Sequence, residues 1–392
     1  MRIKIIHARV VTQQIETDCT VYLEGGKICA VGGDLPFDTV LDAAGAYLAP
    51  GFIDMHTHGG GGHDFMDGGI APILEAAKMH LRHGTTSLLA TTLSSDLDDL
   101  SAALGDIGAA MQASGRLPHI LGAHLEGPYF SQAQCGAQDP RYITPPIPSE
   151  YEQMLKTFPG VIRRWSFAPE LPGAQQFCRR LLECGVIPAI GHTDAVYKDI
   201  RQIVDCGCRL VTHFYSGMSG LTRRGGFRTL GAIESTYLFD ELCAEIIADG
   251  KHLPPELLRL IVKGKGVENL CLVTDSMRGA GMPEGPTLLG SLRDGVPCLI
   301  EEGVAKMPDH TSFAGSVATF DRLIRTMRDL AGVSLPDCIR MASTNPARIL
   351  GLPHKGRIAP GFDADLVLFD DNIRVQAVCI GGGPDTAIYD WR

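Results

Sequence analysis

The sequence has no long hydrophobic run, no block of like charge and no low-complexity tract. No stretch approaches the roughly 18 apolar residues that a membrane-spanning helix needs. The amino-terminal segment MRIKIIHARVV lacks the apolar core and the small-residue cleavage site of a secretory signal peptide. The net charge of -10 is spread along the chain, which argues against a surface for nucleic acid. We therefore expect a cytoplasmic protein without a membrane or nucleic-acid partner.

The sequence also lacks a cysteine pattern typical of disulfides or of structural zinc. The 12 cysteines are scattered, and several, including Cys184, Cys243 and Cys271, lie in apolar stretches where a thiol behaves as a small hydrophobic group. Cys206 and Cys208 form a C-x-C pair, but no second pair follows at the spacing of a zinc site. We expect reduced cysteines with a structural role.

Strand-like segments at the two ends of the chain predict a small separate domain. Residues 1–50 contain short β-type runs separated by Gly and Asp, and residues 356–392 resume this texture in GRIAPGFDADLVLFD and IRVQAVCIGG. We expect the two ends to pair as a small β-sandwich domain into which residues 51–355 are inserted. With 392 residues, the chain is long enough for a barrel and a smaller domain.

The middle of the chain alternates apolar runs with helix-period segments, which predicts parallel βα units and an α/β fold. The runs that read as buried strands are FIDMH, TSLLATT, HILGAHLE, IRRWSFAP, VIPAIGH, RLVTHF, CAEIIADG and NLCLVTDS. Helical periodicity is found over 70–83, 96–113, 174–184, 196–206 and 254–263. This alternation predicts a (β/α)8 TIM-like barrel. The Gly- and Pro-rich segment 281–310 predicts an irregular excursion after the eighth strand, with helices beyond it.

Side chains that can hold or serve a metal ion follow several of these runs. They are His56, His58, Glu126, His192, His213 and Asp275. In a (β/α)8 barrel the active site lies at the carboxyl ends of the strands. His56 and His58 are two residues apart, so both rings project from one face of an extended strand. Imidazole nitrogen mixed with carboxylate oxygen suits a divalent transition metal, zinc first and iron or manganese as alternatives, better than calcium or magnesium.

A series of motifs occurs in a fixed order along nearly the whole chain. It consists of PGFIDMHTHG, HLEGP, GHTDA, THFYSGM, ADGKHLPPELL, LVTDSMRGAG, SFAGS, ASTNPARILGL and GRIAPGFDADLVLFD. In this order the motifs resemble the N-acetylglucosamine-6-phosphate deacetylases of the amidohydrolase superfamily. H-x-H and the late Asp mark only the superfamily, whereas HLEGP and ADG-x-H narrow the resemblance to the deacetylases. The resemblance implies hydrolysis of N-acetylglucosamine 6-phosphate to glucosamine 6-phosphate and acetate.

The resemblance also implies a metal centre of one or two ions per subunit. Glu126, His192 and His213 correspond to the residues that hold one metal in the family. Members that carry H-x-H hold a second ion through the residues at His56 and His58. Because this chain keeps H-x-H, we expect a site for two metals with Glu126 as the bridge.

The remaining family roles fall on residues around the substrate. Asp275 resembles the general base that takes the proton of the water and later donates it to the amine. The resemblance assigns His252 to the sugar and phosphate, and Arg224 to the phosphate across a homodimer interface. Arg223, Arg224 and Arg228 share the loop TRRGGFR, so the phosphate contact stays open among the three.

Two motifs depart from the family pattern at the substrate pocket. Where relatives carry K-G-A-H, this chain has C-G-A-Q, ending in Gln138, whose amide donates a hydrogen bond but cannot become cationic. Where relatives read T-H-x-x-N-A-M, this chain has THFYSGM, with Ser216 and Gly217 at the variable places. We expect Gln138, Ser216 and Gly217 to contact substrate. Amide hydrolysis is still predicted, and the particular sugar is left open.

Three alternatives to this function remain. A related deacetylase would act on N-acetylgalactosamine 6-phosphate or on another acylated amine. A cyclic-amide hydrolase or deaminase of the same superfamily usually carries a carboxylated lysine on the fourth strand, which here reads VIRRWSFAPE without a lysine. A catalytically silent binding protein would be expected to lose metal ligands, and this chain keeps all of them.

Overall fold

The computed structural model describes residues 1–310, 312–383 and 385–392, apart from the side chains of Asp18 and Arg224, and eight parallel strands form its centre. In order around the sheet they are Phe52–Thr57, Thr85–Thr92, His119–Glu126, Ile162–Phe167, Ile187–Ile190, Leu210–Val211, Cys243–Ile246 and Leu270–Leu272. Backbone bonds from Asp275 N to His56 O and from His58 N to Ser276 O, both 2.8 Å, bring the last strand end against the first. The predicted TIM-like barrel is confirmed.

The strands are buried on both faces, as their apolar composition predicts. Outward-facing residues such as Phe52 and Leu88 pack in the main core with Leu100 and Ile107 of the surrounding helices. A second cluster contains strand residues such as Ile53 and Met55 together with Ala347 and Leu350. In the same carboxyl-terminal segment, Ser343 Oγ donates to the carbonyls of Pro50 and Gly51 at 3.2 and 3.0 Å. Helical residues therefore cover the amino-terminal end of the barrel and leave the opposite end open.

Helices alternate with the strands on the outside of the barrel. The α-helices are Ile70–Leu81, Leu97–Ala113, Pro148–Thr157, Ala174–Glu183, Tyr197–Asp205, Ala232–Leu238, Pro255–Lys265, Phe320–Arg325, Leu335–Ile339 and Asn345–Ile349. Thr326–Leu330 and Arg340–Thr344 are π-helical, and Gln132–Gln134 and Val267–Asn269 are 3₁₀ turns. The five predicted helices lie within two residues of their predicted limits. In the described part of the chain, no helix combines the length and the apolar character that crossing a membrane requires.

Strands from both ends of the chain form one separate sheet. Its members are Arg2–Val11, Ile15–Glu24, Lys27–Val31, Thr39–Asp42, Tyr47–Pro50, Leu366–Phe369, Val375–Ile380 and Ala387–Asp390. Tyr47–Pro50 lies at the centre, parallel to Arg2–Val11 and antiparallel to Leu366–Phe369. The prediction that the two ends combine is therefore confirmed. The domain limits at residues 51 and 355 stay a prediction.

The segment after the eighth strand differs from the sequence-based expectation. The prediction of an irregular excursion over 281–310 was wrong, because three strands, Gly285–Leu289, Val296–Glu301 and Val304–Lys306, form an antiparallel sheet there. Leu289, Cys298 and Ala305 pack on Met277 in a small cluster of their own. The Gly and Pro residues that concealed this pattern lie at strand starts and in turns, where they do not disturb the pairing. Smaller hairpins pair Gly59–Gly60 with His63–Asp64 and Thr222–Arg224 with Phe227–Thr229.

Asp365 joins the separate sheet to the barrel. Its side chain accepts from Gly381 N at 2.8 Å and contacts Lys355 Nζ at 2.5 Å, while its carbonyl accepts from Gly51 N at 2.9 Å. Burial raises the pKa of Asp365, but contact with His119 and the charge of Lys355 outweigh burial and lower it to about 2. The folded protein therefore stabilises the ionised form.

Replacing Asp365 by Asn should destabilise the fold by about 3 kcal/mol at pH 7, because the buried carboxylate that pairs with Lys355 and His119 is lost and Lys355 keeps only Asp363, at 3.0 Å. For a chain of 392 residues this corresponds to a thermal midpoint about 4 °C lower. Since the folded pKa lies below the unfolded value, the difference from wild type should persist above pH 4 and shrink as the pH falls towards 2. Thermal denaturation by circular dichroism measures both. Asp371→Asn, which breaks an exposed pair with Arg9, is the control and should shift the midpoint by less than about 1 °C. Equal effects of the two variants would contradict the expectation.

Candidate active site and metal centre

The side chains predicted to hold or serve a metal converge at the open end of the barrel. His56 lies in the first strand and His58 directly follows it, Glu126 ends the third strand, and the others follow the fifth, sixth and eighth strands. Each side chain is buried, with at most 7% of the residue exposed. The structure thus brings together all of the predicted set: His56, His58, Glu126, His192, His213 and Asp275.

Glu126 lies at the centre of this group. Its Oε1 is 2.8 Å from His213 Nε2 and 3.2 Å from His192 Nε2, and its Oε2 is 3.2 Å from His58 Nε2. His56 Nε2 lies 3.6 Å from Oε1 and 3.3 Å from His58 Nε2. Four imidazole nitrogens therefore surround one carboxylate.

These atoms divide into two sets that fit a metal ion. One set is His56, His58 and Glu126, and the other is Glu126, His192 and His213; in each set the ligand atoms lie within 4.8 Å of one another. Buried imidazole nitrogens that face each other at 3.1 Å, as His192 and His213 do, compete for a single proton, whereas a cation between them satisfies both. The donor chemistry matches a divalent transition metal, and Glu126 belongs to both sets.

Asp275 lies beside the His56 and His58 rings. Its Oδ1 is 3.3 Å from His56 Nε2 and 3.2 Å from His58 Nε2. Burial raises the pKa of Asp275, but the two imidazoles outweigh burial and lower it below its usual value. Burial lowers the pKa values of His56 and His58, yet the carboxylates of Asp275 and Glu126 raise them to about 9 and about 10. The carboxylates thus stabilise positive charge between themselves and the two rings, which is also what a bound cation requires.

Three of the site residues have left-handed backbone conformations. The φ angles are 44° at His192, 27° at His213 and 47° at Asp275. Such a conformation costs a residue other than glycine on the order of 1–3 kcal/mol, and it persists only where the surroundings enforce it. At each position the chain turns sharply after an apolar strand. The turn directs the polar side chain to the mouth of the barrel.

A buried ion pair inside the barrel contacts two of the histidines, His56 and His213. Arg164 and Glu245 are both fully buried, and Nη1 of Arg164 contacts Oε1 of Glu245. Oε2 of Glu245 lies 3.4 Å from His56 Nδ1 and accepts from His213 N at 3.3 Å. Arg164 also donates to Thr212 Oγ1 at 2.8 Å. The pair connects the fourth and seventh strands to a histidine from each donor set, and it was missed by the sequence analysis, although a charged residue inside an apolar strand was a usable signal.

His124 is a further buried histidine that the sequence analysis did not single out. Its Nε2 lies 2.7 Å from Ser166 Oγ, and its ring packs edge-on against His56 with centroids 4.6 Å apart. Burial and the charge of Arg164 lower its pKa well below the usual value. A neutral imidazole at this place supports the His56 ring without adding charge.

A cavity of about 230 Å³ opens above the donor sets. Four of the predicted substrate-binding residues line it, namely Gln138, Ser216, Gly217 and His252. The side chain of Arg224, the fifth, lies outside the described structure. Neither Arg223 nor Arg228 is among the described residues that line the cavity, since both are exposed on the Thr222–Thr229 hairpin. The apolar walls, formed by Leu93, Leu289 and Phe313, were not predicted.

Two of the lining residues also contact residues of the donor sets. Gln138 Nε2 donates to Glu126 Oε2 at 2.8 Å. Gly217 has a φ of 57°, and a Cβ added there would lie 2.8 Å from His192 Nδ1. Glycine is therefore required where the chain passes the His192 ring. His252 differs, because its Nδ1 lies 2.9 Å from Asp249 Oδ2, which leaves Nε2 for a ligand.

Comparison with known proteins agrees with this geometry. The model of the amidohydrolase family matches residues 47–389, which is most of the chain. The chain belongs to the amidohydrolase family. The resemblance stated from the motifs is confirmed.

Individual relatives of this amidohydrolase are deacetylases. It is 32% identical over 364 residues to the N-acetylglucosamine-6-phosphate deacetylase of Lysinibacillus sphaericus, with 92% of each chain covered. It is 35% identical over 339 residues to the N-acetylgalactosamine-6-phosphate deacetylase of Escherichia coli O157:H7, with 86% of each covered. A solved N-acetyl-D-glucosamine-6-phosphate deacetylase mutant of Mycobacterium smegmatis, in complex with N-acetyl-D-glucosamine-6-phosphate, is similar with a TM-score of 0.89 and 31% identity; 97% of this chain and 98% of that chain are covered.

Chelation of divalent metal should destabilise the amidohydrolase, because the converging imidazoles and carboxylates lose the ion that satisfies them. At a free ion concentration 100 times the Kd, one bound ion adds about 2.7 kcal/mol, or about 3 °C in the thermal midpoint of a chain this long. Differential scanning calorimetry with and without chelator measures the shift. A variant with both His192 and His213 replaced by Ala should show less than half of it. An unchanged midpoint after removal of the metal, checked by mass spectrometry, would contradict the expectation.

Proposed function

We propose that this amidohydrolase hydrolyses the N-acetyl amide of N-acetylglucosamine 6-phosphate to glucosamine 6-phosphate and acetate, using a bound divalent metal. The proposal is carried by the two donor sets that share Glu126 at the floor of a cavity, with Asp275 beside them. The deacetylase relatives cover most of the chain at about 30% identity and supply the substrate class. Zinc is the metal that we propose, because the sets mix imidazole nitrogen and carboxylate oxygen, with iron or manganese as alternatives.

The metal and the surrounding residues share the chemical work. A bound divalent ion lowers the pKa of water from about 15.7 towards about 7 and polarises a carbonyl group. Glu126, His192 and His213 would hold one ion, and His56 and His58 together with Glu126 a second. Hydrolysis of an amide also needs a proton on the departing nitrogen, since a free amide anion is a very poor leaving group.

Asp275 is the proposed general base and general acid. Its carboxylate lines the cavity beside both donor sets, where it would accept the proton of the attacking water. As the proton leaves, the water oxygen forms a bond to the amide carbonyl carbon, and the same carboxyl group then donates that proton to the amide nitrogen. The carbon–nitrogen bond breaks, and acetate and the free amine are released.

The sugar would lie between the donor sets and the cavity walls. We propose that His252 contacts the sugar or its phosphate through Nε2, since Asp249 holds the opposite nitrogen. Ser216 and Gly217 line the same cavity and are proposed to approach the sugar. The contact of Arg224 with the phosphate across a homodimer interface stays a prediction, as do the homodimer itself and the cytoplasmic location.

N-acetylgalactosamine 6-phosphate is the second candidate substrate. A deacetylase for this sugar is 35% identical to the chain, no less than the relatives that act on the glucosamine epimer. The two reactions need the same metal centre and the same proton transfer. The two sugars differ only in the configuration at one carbon that carries a hydroxyl group. The residues of the cavity wall that face this hydroxyl would therefore decide between them. A cyclic-amide hydrolase is less well supported, because the fourth strand supplies Arg164 for an internal ion pair and has no lysine.

Replacing Asp275 by Asn should lower kcat for acetate release by about 10²–10⁴-fold, because the amide cannot accept the proton of the water. Enzyme-coupled acetate detection measures this rate, and metal content is determined on the same sample. The metal content should change little, since neither donor set includes Asp275. The control is Asp205→Asn, which changes an exposed carboxylate at the end of the helix Tyr197–Asp205, outside the residues that line the cavity. This variant should keep wild-type kcat. Unchanged turnover in Asp275→Asn would refute the assigned role.

A panel of four sugars should establish the substrate. It consists of the 6-phosphates of N-acetylglucosamine and N-acetylgalactosamine and the two unphosphorylated sugars, compared by kcat/KM. We expect the phosphorylated sugars to be preferred by at least tenfold, and N-acetylglucosamine 6-phosphate to be the better epimer. A preference for the galactosamine epimer would select the second candidate. Acetate release from none of the four would overturn both candidates.

A further inference from the structure

Gln138 forms a bridge between the central carboxylate and the backbone of another strand end. Its Nε2 donates to Glu126 Oε2 at 2.8 Å, and its Oε1 accepts from Ser94 N at 2.8 Å. The residue is 5% exposed, and Ser94 follows the second barrel strand, Thr85–Thr92. Both ends of the amide are thus engaged in a buried environment.

The orientation of this amide is fixed by its partners. A backbone N–H can only donate, and an ionised carboxylate can only accept, so the oxygen of Gln138 must face Ser94 and the nitrogen must face Glu126. The same nitrogen keeps a second N–H. A carboxylate oxygen has room for both this hydrogen bond and a metal ion, since the group offers about four lone-pair directions.

Further contacts hold the chain segments at both ends of the Gln138 bridge. A Cβ added at Gly127, next to Glu126, would overlap Ser94 Oγ, so the two strand ends are in close contact. On the other side, Gln138 N donates to Cys135 O at 3.0 Å within the segment 131–138. The same segment holds His192, because Ser131 N donates to His192 O at 2.9 Å and Gln134 O lies 2.8 Å from His192 Nδ1. One short loop therefore contacts a ligand histidine and the shared carboxylate.

The two oxygens of Glu126 depend on this bridge to different degrees. Oε1 lies within 3.2 Å of both His192 and His213 and is placed by them. Oε2 has His58 at 3.2 Å and Gln138 as its hydrogen-bond donor. Without Gln138, Oε2 keeps only His58 as a partner among these contacts, whereas Oε1 keeps two imidazoles, so the hold on Oε2 beside the His56 and His58 set is weakened most.

We propose that Gln138 is a positioning residue that holds Oε2 of Glu126 towards the His56–His58 set and thereby secures the ion of that set. The inference rests on the metal-dependent function proposed above and extends it to a residue in which this chain departs from its relatives. The ion of the His192–His213 set, held through Oε1, is affected much less. Gln138 thus favours a centre of two ions.

The test is a Zn²⁺ titration of metal-free protein by isothermal calorimetry, with ions per chain counted by inductively coupled plasma mass spectrometry. Gln138→Met keeps the length of the side chain and removes its hydrogen bonds. We expect two ions in wild type; in the variant the weaker ion should bind 10–100-fold less tightly, as expected for loss of a residue that orients a ligand, and the tighter ion within threefold of wild type. Gln138→Asn, which keeps the amide but is too short to span both partners, should give the same asymmetry and serves if Gln138→Met does not fold.

The matched control is Gln132→Met, which removes an amide from the same loop. Gln132 donates to the carbonyls of Pro140 and Ile143, away from Glu126, and the control should bind both ions as wild type does. Two ions of unchanged affinity in the Gln138 variants, or equal weakening of both ions, would overturn the inference and leave the proposed function in place. A single ion in wild type would also overturn it. No bound metal in wild type would overturn the proposed function itself.

Discussion

The sharing of one buried carboxylate between two pairs of imidazoles is the constraint on which the rest of this structure depends. Glu126 has Nε2 atoms of four histidines within 3.6 Å, and these histidines come from barrel strands that lie far apart in the sequence. A buried carboxylate is tolerated only where charges or hydrogen bonds satisfy it. A parallel barrel meets this condition, because its strand ends all meet at one mouth. The position of the metal centre follows from the strand order.

Several local features that maintain this arrangement are energetically unfavourable by themselves. Left-handed backbone at His192, His213 and Asp275 is unfavourable, and so is the removal of Arg164 and Glu245 from water. These features have one result in common, since each fixes the direction of a side chain at the site. The barrel strands and the helical residues at their amino-terminal end form packed clusters. This packing holds the strands in place, so the residues that follow them keep their unfavourable backbone conformations.

Much of this was predictable from the sequence, and the missing parts have physical reasons. Short apolar runs identified the barrel strands, and polar residues at their ends identified the donors, because a barrel fixes which ends meet. The sheet over 285–306 was missed, since Gly and Pro in its turns concealed the alternation. Arg164 and Glu245 are each visible as a charged residue inside an apolar strand, but their pairing was missed because a contact between distant strands leaves no local pattern. The bridge made by Gln138 depends on the path of a loop, which composition does not encode.

Three residues that were predicted to contact substrate have further contacts in the structure. Gln138, Ser216 and Gly217 were expected to face the sugar, in motifs that were predicted to differ from the family pattern. Gly217, however, passes so close to His192 that a side chain does not fit, and Gln138 binds the shared carboxylate. Both therefore act on the metal ligands, even though both also line the cavity. Ser216 lines the cavity as well, and its N donates to His213 O at 2.9 Å, so its backbone is also connected to a donor residue. All three positions therefore contact a donor residue while they line the cavity, so a change at any of them acts on the donor sets and on the cavity wall together.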